Sequence, residues 1–267
     1  MLFGAVNPSG RLAETVPIRL EDAPSYLNYP GENLHVRYGE GLFVGYRGYD
    51  ARDLEVEFPF GHGLSYTTFA YDDLRVAADD DGLTVSLTVT NTGAVDGREV
   101  VQFYTTGPQG IVRPPRELIA FTAITLAAGA GSRVEMRIPR ADLAIWETRA
   151  RAWVVQGGEY VIAVAASSRD IRQEVRVTVA GDPVRVPLTP DSSVAELMAN
   201  PVGAQVLGKL INDRRAGPSA ADTELGIDTA GAVAAMPVGR IRSVTGGRGL
   251  TRDQLEQLLH AANTTAQ

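Results

Sequence analysis

The sequence predicts a mainly β protein: an antiparallel β-sandwich occupies the middle of the chain, a glycine- and aromatic-rich segment precedes it, and short helices follow. Three observations carry this reading. Leu83, Val85, Leu87 and Val89 alternate with Thr84, Ser86, Thr88 and Thr90, the period-two pattern of a half-buried strand. The alternation returns at Val134, Met136 and Ile138 and again at Ile171, Val175, Val177 and Val179, with Asn91-Thr92-Gly93 and Gly157-Gly158 as turns. Short strands repeating at this spacing imply two packed antiparallel sheets. Burial of each Val, Leu or Ile contributes roughly 1.5–3 kcal/mol against backbone ordering of about 1–2 kcal/mol per residue, so a sandwich over residues 72–181 has the means to fold alone.

Residues 1–35 read poorly as the start of an independent domain. Leu2-Phe3-Gly4 looks like the end of a buried helix with Gly4 as its cap, and Asn7-Pro8-Ser9-Gly10 is a turn. The expectation is a remnant of a longer domain, with Met1 at an interior position of a longer parent.

Residues 36–71 form the aromatic connector. Val36 to Phe69 reads VRYGEGLFVGYRGYDARDLEVEFPFGHGLSYTTF, with no helical or simple strand period. Its glycines allow close backbone approach, and its Tyr and Phe side chains each offer about 150–250 Å² that needs a partner surface. The segment therefore reads as pinned across another domain, with Tyr38, Phe43, Tyr46, Arg47, Tyr49, Phe60 and Tyr66 as candidate docking residues.

From about Pro183 the composition turns to Ala, Gly, Pro and polar residues, and residues 182–267 read as a helical tail. Ser193 to Glu196 and Thr251 to Gln254 fit the capping-box pattern, the second leading into Leu255, Leu258 and Leu259 at helical spacing. Asn212 to Ala230 lacks periodicity and reads as a flexible loop.

Composition narrows the function. The chain has 267 residues, 44% hydrophobic and 21% charged, with a formal net charge of −7 and no cysteine. An acidic protein offers nucleic acid or an anionic membrane no attraction, and neutral sugars stay compatible. Without cysteine there is neither disulfide nor thiolate nucleophile. No signal-peptide pattern or transmembrane run is present, so a soluble chain is expected, with the cytoplasm favoured. Lys209 is the only lysine among many arginines, and alanine is abundant, a usage that fits GC-rich bacterial coding.

The connector resembles family 3 glycoside hydrolases of the β-glucosidase and β-xylosidase type. The resemblance runs on in order through LFGAVNPSGRLAETVP (2–17), VTNTGAVDGREVVQFY (89–104), RPPRELIAFTAITLAAG (113–129) and WVVQGGEYVIAVAASSRDI (153–171). It implies the end of an α/β sandwich domain at residues 1–35 and a fibronectin type III-like domain at 72–181. It also implies a parent that hydrolyses β-linked glycosides with retention and without a cofactor, through an Asp nucleophile in an N-terminal barrel and a Glu acid/base in the α/β sandwich. Those domains are the partners the resemblance implies, and neither carboxylate maps onto this chain. The expectation is a stabilising, docking portion of a glycosidase that is inactive alone; the alternative is a non-catalytic binding or interaction module.

A retaining glycosidase places two carboxyl groups about 5–5.5 Å apart. Glu40 and Asp50 lie in the aromatic run, but beside Arg37, Arg47 and Arg52 they read as ion pairs pinning the connector rather than as a catalytic pair. His35, His62 and His260 lack metal-ligand spacing, and His62 between two glycines reads as a turn histidine, so no metal is expected. Trp146 and Trp153 read as core or sheet-edge residues rather than a sugar platform. Asn263-Thr264-Thr265 is a formal glycosylation sequon, expected by chance.

Overall fold

The computed structural model describes residues 1–110, 112–184, 186–212, 229–241 and 251–264. The chain divides into two compact units, Met1–Pro183 and Val184–Gln267.

The first unit is built on two antiparallel sheets. Strands β3 (Phe69–Asp79), β4 (Gly82–Asn91) and β7 (Gly131–Pro139) form one, in the order β3-β4-β7. Strands β5 (Gly97–Thr106), β6 (Glu117–Leu126), β10 (Gly158–Ala165) and β11 (Ile171–Val179) form the other, in the order β11-β10-β5-β6. The expected alternation is realised directly. Leu83, Val85, Leu87 and Val89 are fully buried and meet Val101, Phe103, Val134, Ile138, Ile162 and Val164 in one core. Register places Leu83 opposite Ile138, Val85 opposite Met136 and Leu87 opposite Val134, so like faces coincide across the pair. Asn91 closes the β4 turn: its side-chain amide donates to the Val95 and Leu126 carbonyls.

Strand β5 departs from simple alternation, because both of its faces are buried. Val101 and Phe103 point into the core, while Gln102 and Tyr104 on the opposite face are also almost wholly covered. What covers them is the segment before the sandwich. A short strand β1 (Val16–Pro17) pairs antiparallel with β2 (Val56–Phe58), and helix α1 (Tyr46–Ala51) lies between them in sequence. Residues 1–71 and the sandwich thus share one unit.

A further hairpin, β8 (Ile145–Glu147) with β9 (Ala152–Val154), places Trp146 directly opposite Trp153. Both indoles are exposed, edge to face at 5.7 Å. They are sheet-edge residues and not core ones, since a two-stranded hairpin buries no face of its own.

In the second unit, helix α2 (Val194–Ala199) starts with the expected capping box: Ser193 Oγ accepts from the Glu196 amide and the Glu196 carboxylate accepts from the Ser193 amide. Helices α3 (Pro201–Asn212), α4 (Thr229–Ala235) and α5 (Arg252–Thr264) follow. The amide and hydroxyl exchange of Thr251 with Gln254 caps α5 in the same way. Val194, Leu197, Val238, Leu258 and Leu259 form a separate small core. Of the stretch read as a loop, Asn212 ends α3 and Thr229 and Ala230 begin α4, while 213–228 lie outside the described residues. Thr265 of the sequon lies outside them too. No helix among the described residues is long and apolar enough to cross a membrane.

Candidate functional site

The seven candidate docking residues divide by the face they occupy. Tyr46 is buried on the outer face of the four-stranded sheet, its ring stacked on Phe60 at 4.8 Å and edge-on to Tyr104 at 6.2 Å. Ala163 and Ala165 complete that cluster. Small side chains on β10 leave room for two rings, and the Leu118 amide donates to Tyr46 Oη at 2.8 Å. Tyr49 is buried on the same helix beneath the Arg52 guanidinium, whose carbon lies 5.9 Å from the ring centroid. Tyr46, Tyr49 and Phe60 thus find partners inside the chain. Burial of the two faces of β5 required information that local periodicity does not hold.

Two glycines permit this approach. A side chain at Gly48, inside α1, would collide with the Phe43 carbonyl oxygen and Pro24. Gly61 has φ +80° and lies against the Gln102 amide, where a side chain would collide with it. The Gln102 amide nitrogen donates to the carbonyls of Gly61 and Ala166, and its oxygen accepts from Tyr104 Oη at 2.7 Å. Burial pushes the Tyr104 hydroxyl well above its ordinary pKa.

A second anchor joins the N-terminal segment to the sandwich. Arg11 Nη2 lies 2.9 Å from Glu99 Oε2, with side-chain exposures of 11% and 4%. Tyr71 Oη donates to Glu99 Oε1 at 3.0 Å, and the Arg172 guanidinium carbon lies 5.7 Å from the Tyr71 ring centroid. Burial, followed by the neighbouring Glu99 carboxylate, pushes the Tyr71 hydroxyl strongly upward. The network lines a polar cleft with His62, Ser65, Thr67, Ser167 and Asp170.

The remaining docking candidates point elsewhere. Tyr38 is 88% exposed and Tyr66 is 54% exposed, while Phe43 is half-buried and Arg47 turns toward Glu117 at 4.0 Å. Tyr38 belongs to a loop, residues 24–45, that also exposes Leu27, Tyr29, Leu34, Val36, Leu42 and Val44. Exposed apolar side chains at this density are more than an isolated surface normally carries. A second exposed group, Leu2, Phe3 and Val6 with Tyr66 and Val95, lies at the N-terminus. There Gly4 has φ +77° and its amide donates to the Met1 carbonyl, a turn with the conformation expected of a helix cap.

The two carboxylates singled out in the connector have separate surroundings. Asp50 on α1 is held by Arg169, at 2.9–3.0 Å, and not by the neighbouring arginines. Burial raises its pKa against the lowering effect of Arg169, and Oδ2 has no hydrogen-bond partner among the described residues. Glu40 sits in a turn closed by its own carbonyl and the Phe43 amide. His62 is a turn residue, its amide bonded to the Pro59 carbonyl and its ring stacked on Phe58 at 5.2 Å. No group of three or more side chains able to hold a metal occurs among the described residues.

Comparison with known proteins agrees with this architecture. A fibronectin type III-like domain matches residues 99–168. The chain is 43% identical over 219 residues to an exo-α-(1→6)-L-arabinopyranosidase of Bifidobacterium longum, covering 81% of this chain and 29% of the relative. It is 42% identical over 220 residues to the thermostable β-glucosidase B of Acetivibrio thermocellus, again 29% of that protein. Among solved structures, the GH3 β-glucosidase of Bifidobacterium adolescentis superposes with a TM-score of 0.71 at 43% identity, over 78% of this chain and 31% of that one. β-Glucosidase 3B of Thermotoga neapolitana, in complex with glucose, superposes with 0.64 at 42% identity, over 67% and 26%. The chain thus spans less than a third of the length of the proteins it resembles.

Proposed function

Because the chain corresponds to the C-terminal part of glycoside hydrolase family 3 enzymes, we propose that it serves a β-glucosidase-like, retaining hydrolase of β-linked glycosides as a stabilising and docking portion. In this reading the nucleophile and acid/base belong to a barrel and an α/β sandwich outside this chain, and this chain alone does not hydrolyse glycosides. The observation that carries the reading is the contrast between the connector's buried side and the loop that leads into it. Tyr46 and Phe60 pack on the sandwich, and loop 24–45 presents Leu27, Tyr29, Leu34, Tyr38 and Leu42 outward. An anchored segment that holds apolar side chains in water needs a partner to cover them.

The test is hydrolysis of aryl β-glucosides and β-xylosides by the purified chain. No turnover is expected, since both carboxylates of the mechanism are required together. Turnover abolished by Asp50→Asn or Glu40→Gln would make the connector catalytic and refute the proposal.

One observation favours the second reading, a non-catalytic binding module: the exposed Trp146–Trp153 pair. Retention on an insoluble β-glucan that is lost in Trp146→Ala and Trp153→Ala, without any affinity for glycosidase domains, would favour it.

A further inference from the structure

Loop 24–45 carries one residue that its own turn disfavours. The Glu32 amide donates to the His35 carbonyl and the His35 amide to the Glu32 carbonyl, each at 2.9 Å. These bonds close a two-residue hairpin with Asn33 and Leu34 at its centre, and both central residues have positive φ, +50° and +67°. That is the pattern of a type I′ turn, whose preferred pair is Asn-Gly. Asn33 suits the first position, because a short polar side chain tolerates the left-handed region. Leu34 does not suit the second, since there its Cβ is forced toward the following carbonyl oxygen.

The positive φ of Leu34 comes from closure of the hairpin. Gly31, just before the pair, has φ +90°, and a side chain on it would collide with the His35 carbonyl oxygen and with Val36, so the backbone passes too closely there for any residue with a Cβ. Packing plays no part in it: the Leu34 side chain is fully exposed and lies outside the core of the first unit. Leu34 is therefore unfavourable twice, in its backbone and in water. Glycine would remove both penalties. A strained residue that the fold does not need points to a use outside the fold.

We propose that Leu34 is the anchor of the docking loop, a knob that enters an apolar pocket on the glycosidase portion lying outside this chain. The inference rests on the docking role proposed above and names the residue through which it acts. The occupant follows from what this chain does not span: the matched region is only 29% of relatives 42–43% identical to it. Leu27, Tyr29 and Tyr38 of the same loop are exposed as well, so the knob stands within a wider apolar surface. Glu32 and Arg37 flank the tip with opposite charges, which leaves no net charge to favour an ionic contact. A tight hairpin also holds the side chain in place before binding, so little freedom is lost on insertion.

The experiment compares Leu34→Gly, Leu34→Asn and Leu34→Met in the full chain. In the chain alone, Leu34→Gly should raise the melting temperature by about 2–4 °C, because strain is relieved and no contact is lost. Leu34→Asn should raise it by less, and Leu34→Met should leave it unchanged. Each is then titrated calorimetrically against the portion of the Acetivibrio thermocellus β-glucosidase B that this chain does not match. Leu34→Gly and Leu34→Asn should weaken association by roughly tenfold or more, and Leu34→Met, which keeps an apolar side chain, by no more than about threefold. Unchanged affinity in Leu34→Gly, with Leu27→Ser/Tyr38→Ser/Leu42→Ser weakened, would leave the docking loop standing and overturn Leu34 as its anchor. A melting temperature lowered by Leu34→Gly would overturn it too, by showing that the side chain serves the fold. No association of the parent chain, or affinity untouched by every loop variant, would refute the docking role itself and this inference with it.

Discussion

Replacing Arg11 by Met should destabilise the first unit by about 3 kcal/mol, although Arg11 lies far from the sandwich in sequence. Removing one partner of a buried pair leaves the other charge uncompensated, at about 3–5 kcal/mol. Independently, unit charges about 4 Å apart at an effective dielectric near 20 attract by about 4 kcal/mol. Glu99 is 4% exposed on its side chain and would keep only the Tyr71 hydroxyl of its two described side-chain partners. The polar cleft beside it gives water some access, which places the cost at the lower end. In urea unfolding, with a slope of about 2–3 kcal/mol/M for a unit of this size, the midpoint should fall by roughly 1–1.5 M. The melting temperature should fall by about 6–12 °C. The triple variant Arg11→Met/Glu99→Leu/Tyr71→Phe should recover to within about 1 kcal/mol of the parent, because no charge or hydroxyl is stranded. A cost below about 1 kcal/mol for Arg11→Met, or strict additivity with Glu99→Leu, would refute the view that this network locks residues 1–35 to the sandwich.

Three further outcomes are expected. Tyr46→Ala should cost about 3–5 kcal/mol by opening a cavity between Phe60 and Tyr104, while Tyr38→Ala should leave the melting temperature within about 1 °C, as measured by calorimetry. For Asp50, burial raises the folded pKa above the unfolded one, so the native state holds the proton more tightly and the carboxyl contributes less as pH rises through that interval. Asp50→Asn should therefore gain stability relative to the parent from the usual carboxylate range up to the raised value, and a difference that is flat or shrinks with pH would contradict this. Hydrogen exchange should be slow at Leu83 to Val89 and measurably slowed at Tyr49 to Leu54, where the Leu54 amide is bonded to the Tyr49 carbonyl, yet fast at Tyr38 to Leu42.

What was legible in the sequence was what alternation encodes. Leu83 to Val89 and Val134 to Ile138 each declare a strand and its buried face, and Ser193 and Thr251 declare helix starts through side chains that bond their own backbone. Helix α1 was not legible, because Gly48 in its interior is a poor helix former and owes its place to the Phe43 carbonyl and Pro24 packed against it. The burial of Gln102 and Tyr104 was hidden for a related reason: on an uncovered sheet that face is solvent, and only the returning connector makes it a second core. Arg11 and Glu99 meet across a separation of 88 residues, which no local pattern records. Tyr46 and Tyr38, by contrast, look alike in the sequence and differ only in what the fold places above them.

The central claim, that this chain completes a glycosidase through loop 24–45, is tested most directly by association in trans. The portion of the Acetivibrio thermocellus β-glucosidase B that this chain does not match would be prepared separately and titrated with the chain, following aryl β-glucoside hydrolysis. Activity should rise saturably with added chain. The combined Leu27→Ser/Tyr38→Ser/Leu42→Ser variant, which changes only exposed side chains, should need at least tenfold more protein for half-saturation, equivalent to about 1.4 kcal/mol, at unchanged maximal rate. Full hydrolysis by either part alone, or saturation indifferent to the loop variant, would contradict the account.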